Sequence, residues 1–162
     1  MRSNRSSTPA EAVTEGPRHR TIGSAVGRLF AVLDTPAEAA AAVDALVGGG
    51  IEPHRIERFS GPGDAAAFDA SGARRGWRGR LLRLVEFSWA DQAPDVAWYE
   101  AAVRGGRVVL SVRIRGQQAV REVAAIVTAH GGHFINHFDW FETQELARWH
   151  GPEPDLPGFL HR

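Results

Sequence analysis

The stretch that decides the fold is LFAVLDTPAEAAAAVDALVGGG, residues 29–50. It opens on a short apolar run of the kind that forms buried strands. Thr35 then stands at a helix N-cap position, with Pro36 at the first helical position and Glu38 placed to complete a capping box. The glycines at 48–50 are a typical helix end. The stretch therefore predicts a buried strand that leads directly into an amphipathic helix.

A second unit of the same kind follows later in the chain. Apolar residues alternate through 107–115, which predicts a strand with one face in the core. Valines and alanines at helical spacing then predict a helix over 117–130. The remaining predicted elements are strands at 29–33, 51–59 and 133–141, a first helix at 36–47, short helices near 78–87 and 95–103, and one or two helical turns within 142–150. The strand at 51–59 is polar and contains a proline, which favours a sheet edge.

The order of these elements predicts an α+β fold, a ferredoxin-like βαββαβ plait with a short helical insertion between strands 2 and 3. We assign residues 1–21 to a flexible N-terminal tail, 22–141 to the plait domain with its insertion at 60–106, and 142–162 to a helical turn and a Pro-rich tail. Two helices cover only one face of such a sheet, so the opposite face is expected to be open to solvent, a second subunit or a ligand.

Composition excludes several classes of function. The chain has 162 residues with 19 basic and 19 acidic side chains, so binding of nucleic acid by bulk charge is not expected. It has no cysteine, which excludes disulfides, thiolate metal sites and nucleophilic thiols. No apolar run approaches the roughly 20 residues that span a bilayer, and the N-terminal part lacks the apolar core of a signal peptide. A cytoplasmic protein that does not enter membranes is the expectation.

Two motifs resemble a known family. The segment YEAAVRGGRVVLSV at 99–112, and HGG at 130–132 followed by Ile135 and Asn136, are similar to the bacterial heat-induced general stress protein family. The resemblance covers about 29–141. It implies the plait fold and a stress-associated context, and it brings no catalytic residues with it.

The histidines near the end of the second unit are the first candidate site. His130, His133 and His137 precede Asp139, and imidazoles with a carboxylate can bind a metal or haem. In a regular strand, His133, His137 and Asp139 share one face. We name His133 and His137 as the metal ligands of such a site, although their spacing matches no closed tetrahedral motif. A structural role for these histidines is the alternative, and no cofactor is predicted unless haem or a divalent metal binds here.

The expected open face is the second candidate site. Ser111, Arg113 and Arg115 share the side of their strand that faces away from the helices. We place His137 and Asp139 on the same side, because that side of their strand is the more polar one. These five residues are the candidate ligand-binding set. The mixed apolar and charged face suits a sheet-to-sheet homodimer with a cleft for a small molecule, and a merely solvated face is the alternative.

A basic cluster lies in the insertion. Arginines surround Trp77, and basic side chains around an aromatic ring can hold phosphates while the ring stacks on a base. The residues of this candidate anionic site are Arg74, Arg75, Arg78 and Arg80. A solvated amphipathic helix explains the same pattern, and the balanced charge argues against nucleic acid as the partner.

The sequence thus predicts a stress-associated, non-enzymatic plait module that self-associates through its open sheet face and binds a small ligand. The alternative is a dimeric α/β-barrel enzyme, or a haem- or metal-binding protein, that uses the face of His137 and Asp139. The residues alone leave open whether the protein is an enzyme.

Overall fold

Five antiparallel strands form the centre of the molecule. The computed structural model describes residues 25–65, 93–140, 142–154 and 156. The strands are β1 (Arg28–Leu33), β2 (Ile56–Ser60), β3 (Val108–Arg113), β4 (His133–Phe138) and β5 (Thr143–Ala147), in the spatial order β2-β3-β1-β4-β5. The helices are α1 (Pro36–Gly48), α2 (Gly61–Ala65), α3 (Ala93–Arg104) and α4 (Gln117–Ala129), and a 3-10 turn lies at Pro53–Arg55. The protein therefore has a mixed α+β fold.

The helix α1 begins as its sequence predicts. The Thr35 side chain accepts a hydrogen bond from the Glu38 backbone N–H at 3.2 Å, and the Thr35 backbone N–H donates to the Glu38 carboxylate at 3.0 Å. Both halves of the capping box are thus present, and Pro36 occupies the first turn. At the other end the Gly49 N–H donates to the Ala45 carbonyl, and the chain leaves the helix. The predicted strand–helix unit is confirmed to within a residue at each end.

The strand at 51–59 is shorter than predicted, and one predicted helix is wrong. Pro53 begins a 3-10 turn, so β2 starts only at Ile56, and it lies at the sheet edge as expected. One or two helical turns are predicted within 142–150, but residues 143–147 form β5 and pair with β4. Tertiary pairing outweighs the weak local helix preference of Gln, Glu, Leu and Ala here. The sheet therefore has five strands in the described part of the chain, whereas the predicted plait has four.

The helices α1 and α4 cover one face of the sheet, which we call the α1/α4 face. Leu29, Ala31, Val112 and Ile135 of the sheet pack there against Leu46 of α1 and Val120, Val123 and Val127 of α4. Leu33, Val108 and Leu110 pack against Ala39 and Ala42 of α1. This half of the fold matches the prediction, since the apolar residues that alternate along β3 are buried here.

The opposite face, which we call the α3 face, is not open in the described part of the chain. Phe30, Val32 and Val109 are buried on it, each at most 3% exposed. They belong to an apolar core with Trp98, Tyr99 and Val103 of α3, Ala65 of α2 and Leu156 near the C-terminus. The expected open sheet face is therefore wrong. Within the described part of the insertion, α3 packs onto the sheet, and its apolar side supplies the cover that sequence order alone could not assign.

Tyr99 fixes α3 to two strands at once. Its hydroxyl donates to the Phe134 carbonyl at 2.9 Å, lies 3.3 Å from the Phe30 carbonyl, and accepts from the Asn136 side-chain amide at 3.0 Å. The side chain is 1% exposed, and burial raises its pKa well above the ordinary tyrosine value. Because hydrogen bonds are directional, they fix the orientation of α3 on the sheet, which apolar packing alone would not do.

Strand β4 contains a bulge at Phe134. Phe30 pairs with Asn136, but Val32 pairs with His133, so two residues of β4 lie opposite Ala31 alone. Phe134 adopts a φ of 46°, which is uncommon for a residue with a bulky side chain. Because of the bulge, His133 and Phe134 both lie on the α3 face, whereas Ile135 lies on the α1/α4 face.

Candidate functional site

The structure divides the predicted ligand-binding set between the two faces of the sheet. Ser111 and Arg113 pair with Phe30 and Arg28 and lie on the α3 face. His137 pairs with Leu29 and lies on the α1/α4 face. The prediction that His137 and Asp139 share a face with Ser111 is therefore wrong. The prediction relied on the higher polarity of that side of β4, but the polar side lies toward the start of α4.

His137 and Asp139 do meet in a small cavity. It lies where the N-terminus of α4 meets the ends of β4 and β5, and its volume is about 100 Å³. Drug-sized ligands occupy pockets of roughly 300–1,000 Å³, so this cavity suits only a small molecule. It is lined by Gly116, Gln117, Val120, His137, Asp139, Glu142 and Gln144. Of these, only His137 and Asp139 belong to the sequence-predicted set.

His137 is held by a backbone carbonyl beside the cavity. The residue is 6% exposed, and its Nε2 lies 3.2 Å from the Ile114 carbonyl oxygen. A carbonyl oxygen only accepts, so Nε2 carries a proton and donates to Ile114. The polar atom of the ring that this bond does not use is Nδ1.

The lining of the cavity contains groups of opposite polarity. Asp139 and Glu142 are exposed carboxylates in the turn between β4 and β5, and the Asp139 N–H donates to the Glu142 carbonyl at 3.0 Å. Gly116 is the N-cap of α4, and among the described residues no side chain caps the first turn of this helix. The first N–H groups of a helix carry a partial positive charge and lack intrahelical partners. A ligand here meets both acceptors and donors.

Ser111 makes a structural hydrogen bond to a buried arginine. Its hydroxyl accepts a hydrogen bond from the Arg28 guanidinium at 2.9 Å, and the same guanidinium donates to Glu57 at 3.1 Å. The Arg28 side chain is 5% exposed, so it requires these partners. Ser111 thus compensates a buried cation and does not face a cleft. Arg113 and Arg115 are exposed, Arg113 at the end of β3 and Arg115 just beyond it.

Replacing Ser111 removes one acceptor from this buried cation. We expect Ser111→Ala to lower the free energy of unfolding by about 1 kcal/mol, because Glu57 still holds the guanidinium. Urea unfolding measures the change. Ser60→Ala at the exposed end of β2 is the matched control and should leave stability unaltered. Equal effects of the two variants would contradict the structural role of Ser111.

His133 lies in a separate polar cluster at the other end of β4. Its Nε2 is 3.4 Å from Asp34 Oδ1, and its Nδ1 accepts from the His150 backbone N–H at 3.2 Å. Arg107 donates to Asp34 at 2.7 Å, which lowers the pKa of that carboxyl. Burial lowers the pKa of His133, although Asp34 opposes this effect.

The predicted metal pair does not come together. His133 lies on the α3 face and His137 on the α1/α4 face, so the two rings cannot share an ion. Within 25–65, 93–140, 142–154 and 156, no three of the residue types His, Cys, Asp and Glu are grouped to hold a metal. His130 stands at the C-cap of α4 and is partly exposed. The basic residues Arg74, Arg75, Arg78 and Arg80, the helix near 78–87 and the tail at 1–21 lie outside the described residues.

Of the five lining residues that sequence reasoning missed, three have polar side chains, Gln117, Glu142 and Gln144. The available signal was a glycine, Gly116, directly before the predicted helix, where the structure has a φ of 88° that favours glycine. Gln144 could not be found because its segment was predicted to be helical.

Comparisons with known proteins found no match to the chain among family models, curated proteins or solved structures. None of the helices in the described part of the chain has the length and apolarity that crossing a membrane requires.

Proposed function

We propose that the protein is a non-enzymatic binding module whose ligand is a small zwitterion of about the size of a simple amino acid. The observation that carries the proposal is the cavity beside His137, whose lining includes two carboxylates and the N-terminus of α4. In this arrangement the ammonium group of the ligand lies toward Asp139 and Glu142. Its carboxylate lies toward the N–H groups of α4.

His137 gives the cavity a third contact. Its Nε2 is held by the Ile114 carbonyl, so Nδ1 is the ring atom left for a ligand, and an unprotonated Nδ1 accepts from an ammonium N–H. The Gln117 and Gln144 amides can donate or accept and thereby select among ligand side chains. The volume of about 100 Å³ favours the smallest members of the class.

The fold proposed for this module is a ferredoxin-like plait extended by one strand. Support comes from β4, β1, β3 and β2, which lie side by side with α1 and α4 on one face. The stress-associated context rests on the resemblance of residues 99–112 and 130–136 to the heat-induced family. The homodimer also stays a prediction, and sedimentation velocity tests it.

Isothermal titration with glycine, alanine and serine, and with ethylamine and acetate as single-charge probes, tests the function. We expect at least one of the amino acids to bind about ten-fold more tightly than either single-charge probe, because two charge-assisted contacts act together. Asp139→Asn should weaken that binding about ten-fold without unfolding the protein, since Asp139 is exposed.

The matched control is Asp44→Asn on the exposed side of α1, which should bind like the unaltered protein. Asp139→Asn that retains full affinity, or no binding by any of the three amino acids, would refute the proposal.

A further inference from the structure

The residues that follow β5 fold over the edge of the α3 face, and we call residues 148–154 and 156 the C-terminal strap. The Phe134 N–H donates to the Arg148 carbonyl at 2.9 Å, so the strap continues the contact of β5 with β4 past the bulge. Farther along, Pro154 is buried, and Leu156 is 6% exposed and belongs to the core beneath α3. The strap therefore closes one side of that core.

Trp149 is the main apolar contact of the strap. Its ring centroid lies 5.0 Å from that of Trp98 and 5.7 Å from that of Phe134. The Arg107 guanidinium lies 5.0 Å from the same ring, and the indole N–H donates to the Pro152 carbonyl at 3.1 Å. Removal of the strap would expose the Trp98 and Phe134 rings, which stack on each other at 5.5 Å.

The His133 side chain contacts the middle of the strap. The His133 ring packs edge-on against Trp149 at 5.0 Å, and its Nδ1 accepts from the His150 backbone N–H. A backbone N–H only donates, so this bond requires Nδ1 to be unprotonated. In that tautomer Nε2 carries the proton and faces Asp34 Oδ1. Both ring nitrogens are thus engaged when the ring is neutral.

Adding a proton to His133 breaks one of these two contacts. The new N–H at Nδ1 would face the His150 N–H, so that bond is lost and two donors oppose each other. Three charged or titratable groups face the ring from the elements around it. Asp34 after β1 favours the cation, whereas Arg107 before β3 and His150 in the strap disfavour it. The charge of Asp34 is already shared with Arg107 through the 2.7 Å bond.

We propose that His133 is a proton-sensitive latch, whose protonation releases the C-terminal strap and uncovers the Trp98 and Phe134 surface. The direction of the pKa of His133 agrees with this, since burial lowers it from its ordinary value of 6.5. The closed strap binds fewer protons than the released one, so closure is stable above pH 6.5 and is lost progressively as the pH falls below it. The device is independent of the ligand cavity, which lies on the other face.

Hydrogen–deuterium exchange of the full chain between pH 8 and pH 5 tests the latch, with rates corrected for intrinsic exchange. We expect exchange in peptides covering the strap to rise about five-fold, the equivalent of one lost hydrogen bond, while β3 stays protected. His133→Asn retains an acceptor oxygen near the position of Nδ1 but cannot titrate, so its strap exchange should not depend on pH. His150→Ala is the matched control: it removes a nearby imidazole that disfavours the His133 cation but keeps the backbone N–H, so strap exchange should still rise as the pH falls, with a midpoint that is unaltered or slightly higher.

The proposal is overturned if strap exchange in His133→Asn still rises between pH 8 and pH 5. It is also overturned if the strap of the unaltered protein stays protected from exchange at pH 5. If His133→Asn does not fold, nitrogen chemical shifts of the His133 ring in the unaltered protein replace it. The ring must then titrate with the same midpoint as the strap exchange, and two separate midpoints overturn the latch.

Discussion

Gly132→Ala is expected to lower the free energy of unfolding by about 3 kcal/mol, because the new methyl group has no room. Its Cβ would overlap the Val127 side chain and lie 2.7 Å from the Val127 carbonyl oxygen. The backbone cannot move away cheaply, since the Gly132 N–H donates to that same carbonyl at 2.9 Å and Val127 is fully buried. Urea unfolding followed by circular dichroism measures the loss.

The control for this variant is Gly48→Ala, near the end of α1. Nothing lies within 4 Å of a Cβ added at Gly48, so its stability should be unaltered or slightly raised. A stable Gly132→Ala protein would mean that the packing of α4 against the start of β4 differs from the one described.

Tyr99→Phe is expected to cost about 2 kcal/mol, although it removes only one oxygen atom. It leaves the Phe134 carbonyl and the Asn136 side-chain amide without their partner inside the core, where Asn136 is 2% exposed. A buried polar group that loses its partner costs about 1–3 kcal/mol. Thermal unfolding of Tyr99→Phe, Asn136→Ala and the double variant measures the coupling.

We expect the double variant to be less destabilised than the sum of the single variants, because each single change already breaks the Tyr99–Asn136 bond. Additive losses would indicate that the two side chains act separately. The result would then contradict the arrangement in which Tyr99 positions α3 through Asn136.

The local sequence predicts the secondary structure well where capping and periodicity agree. Thr35, Pro36 and Glu38 fix the start of α1, and the alternation through β3 identifies which side chains enter the core. These signals are local and depend on backbone hydrogen bonds and burial alone. The residues of α3 were also predicted to be helical, but their place in the fold was not.

Long-range contacts account for what could not be predicted. The position of α3 depends on Tyr99 reaching carbonyl groups of β1 and β4, which no local pattern reveals. The candidate site was half found, since His137 and Asp139 were named but were assigned to the wrong face. The error comes from assigning the face of β4 by its polarity. The bulge at Phe134 accounts for a different one, the prediction that His133 and His137 share a face, because one extra residue reverses the face of every side chain that follows it.

The bulge also limits how the gene can vary in length. Deletion of a single codon within β4 would restore strict alternation. The side chains on one side of the deleted residue would then lie on the opposite face of the sheet. His137 would then leave the cavity, or His133 would leave the strap. Insertions and deletions compatible with this fold are therefore expected in the connections outside 133–138, where no such parity has to be kept.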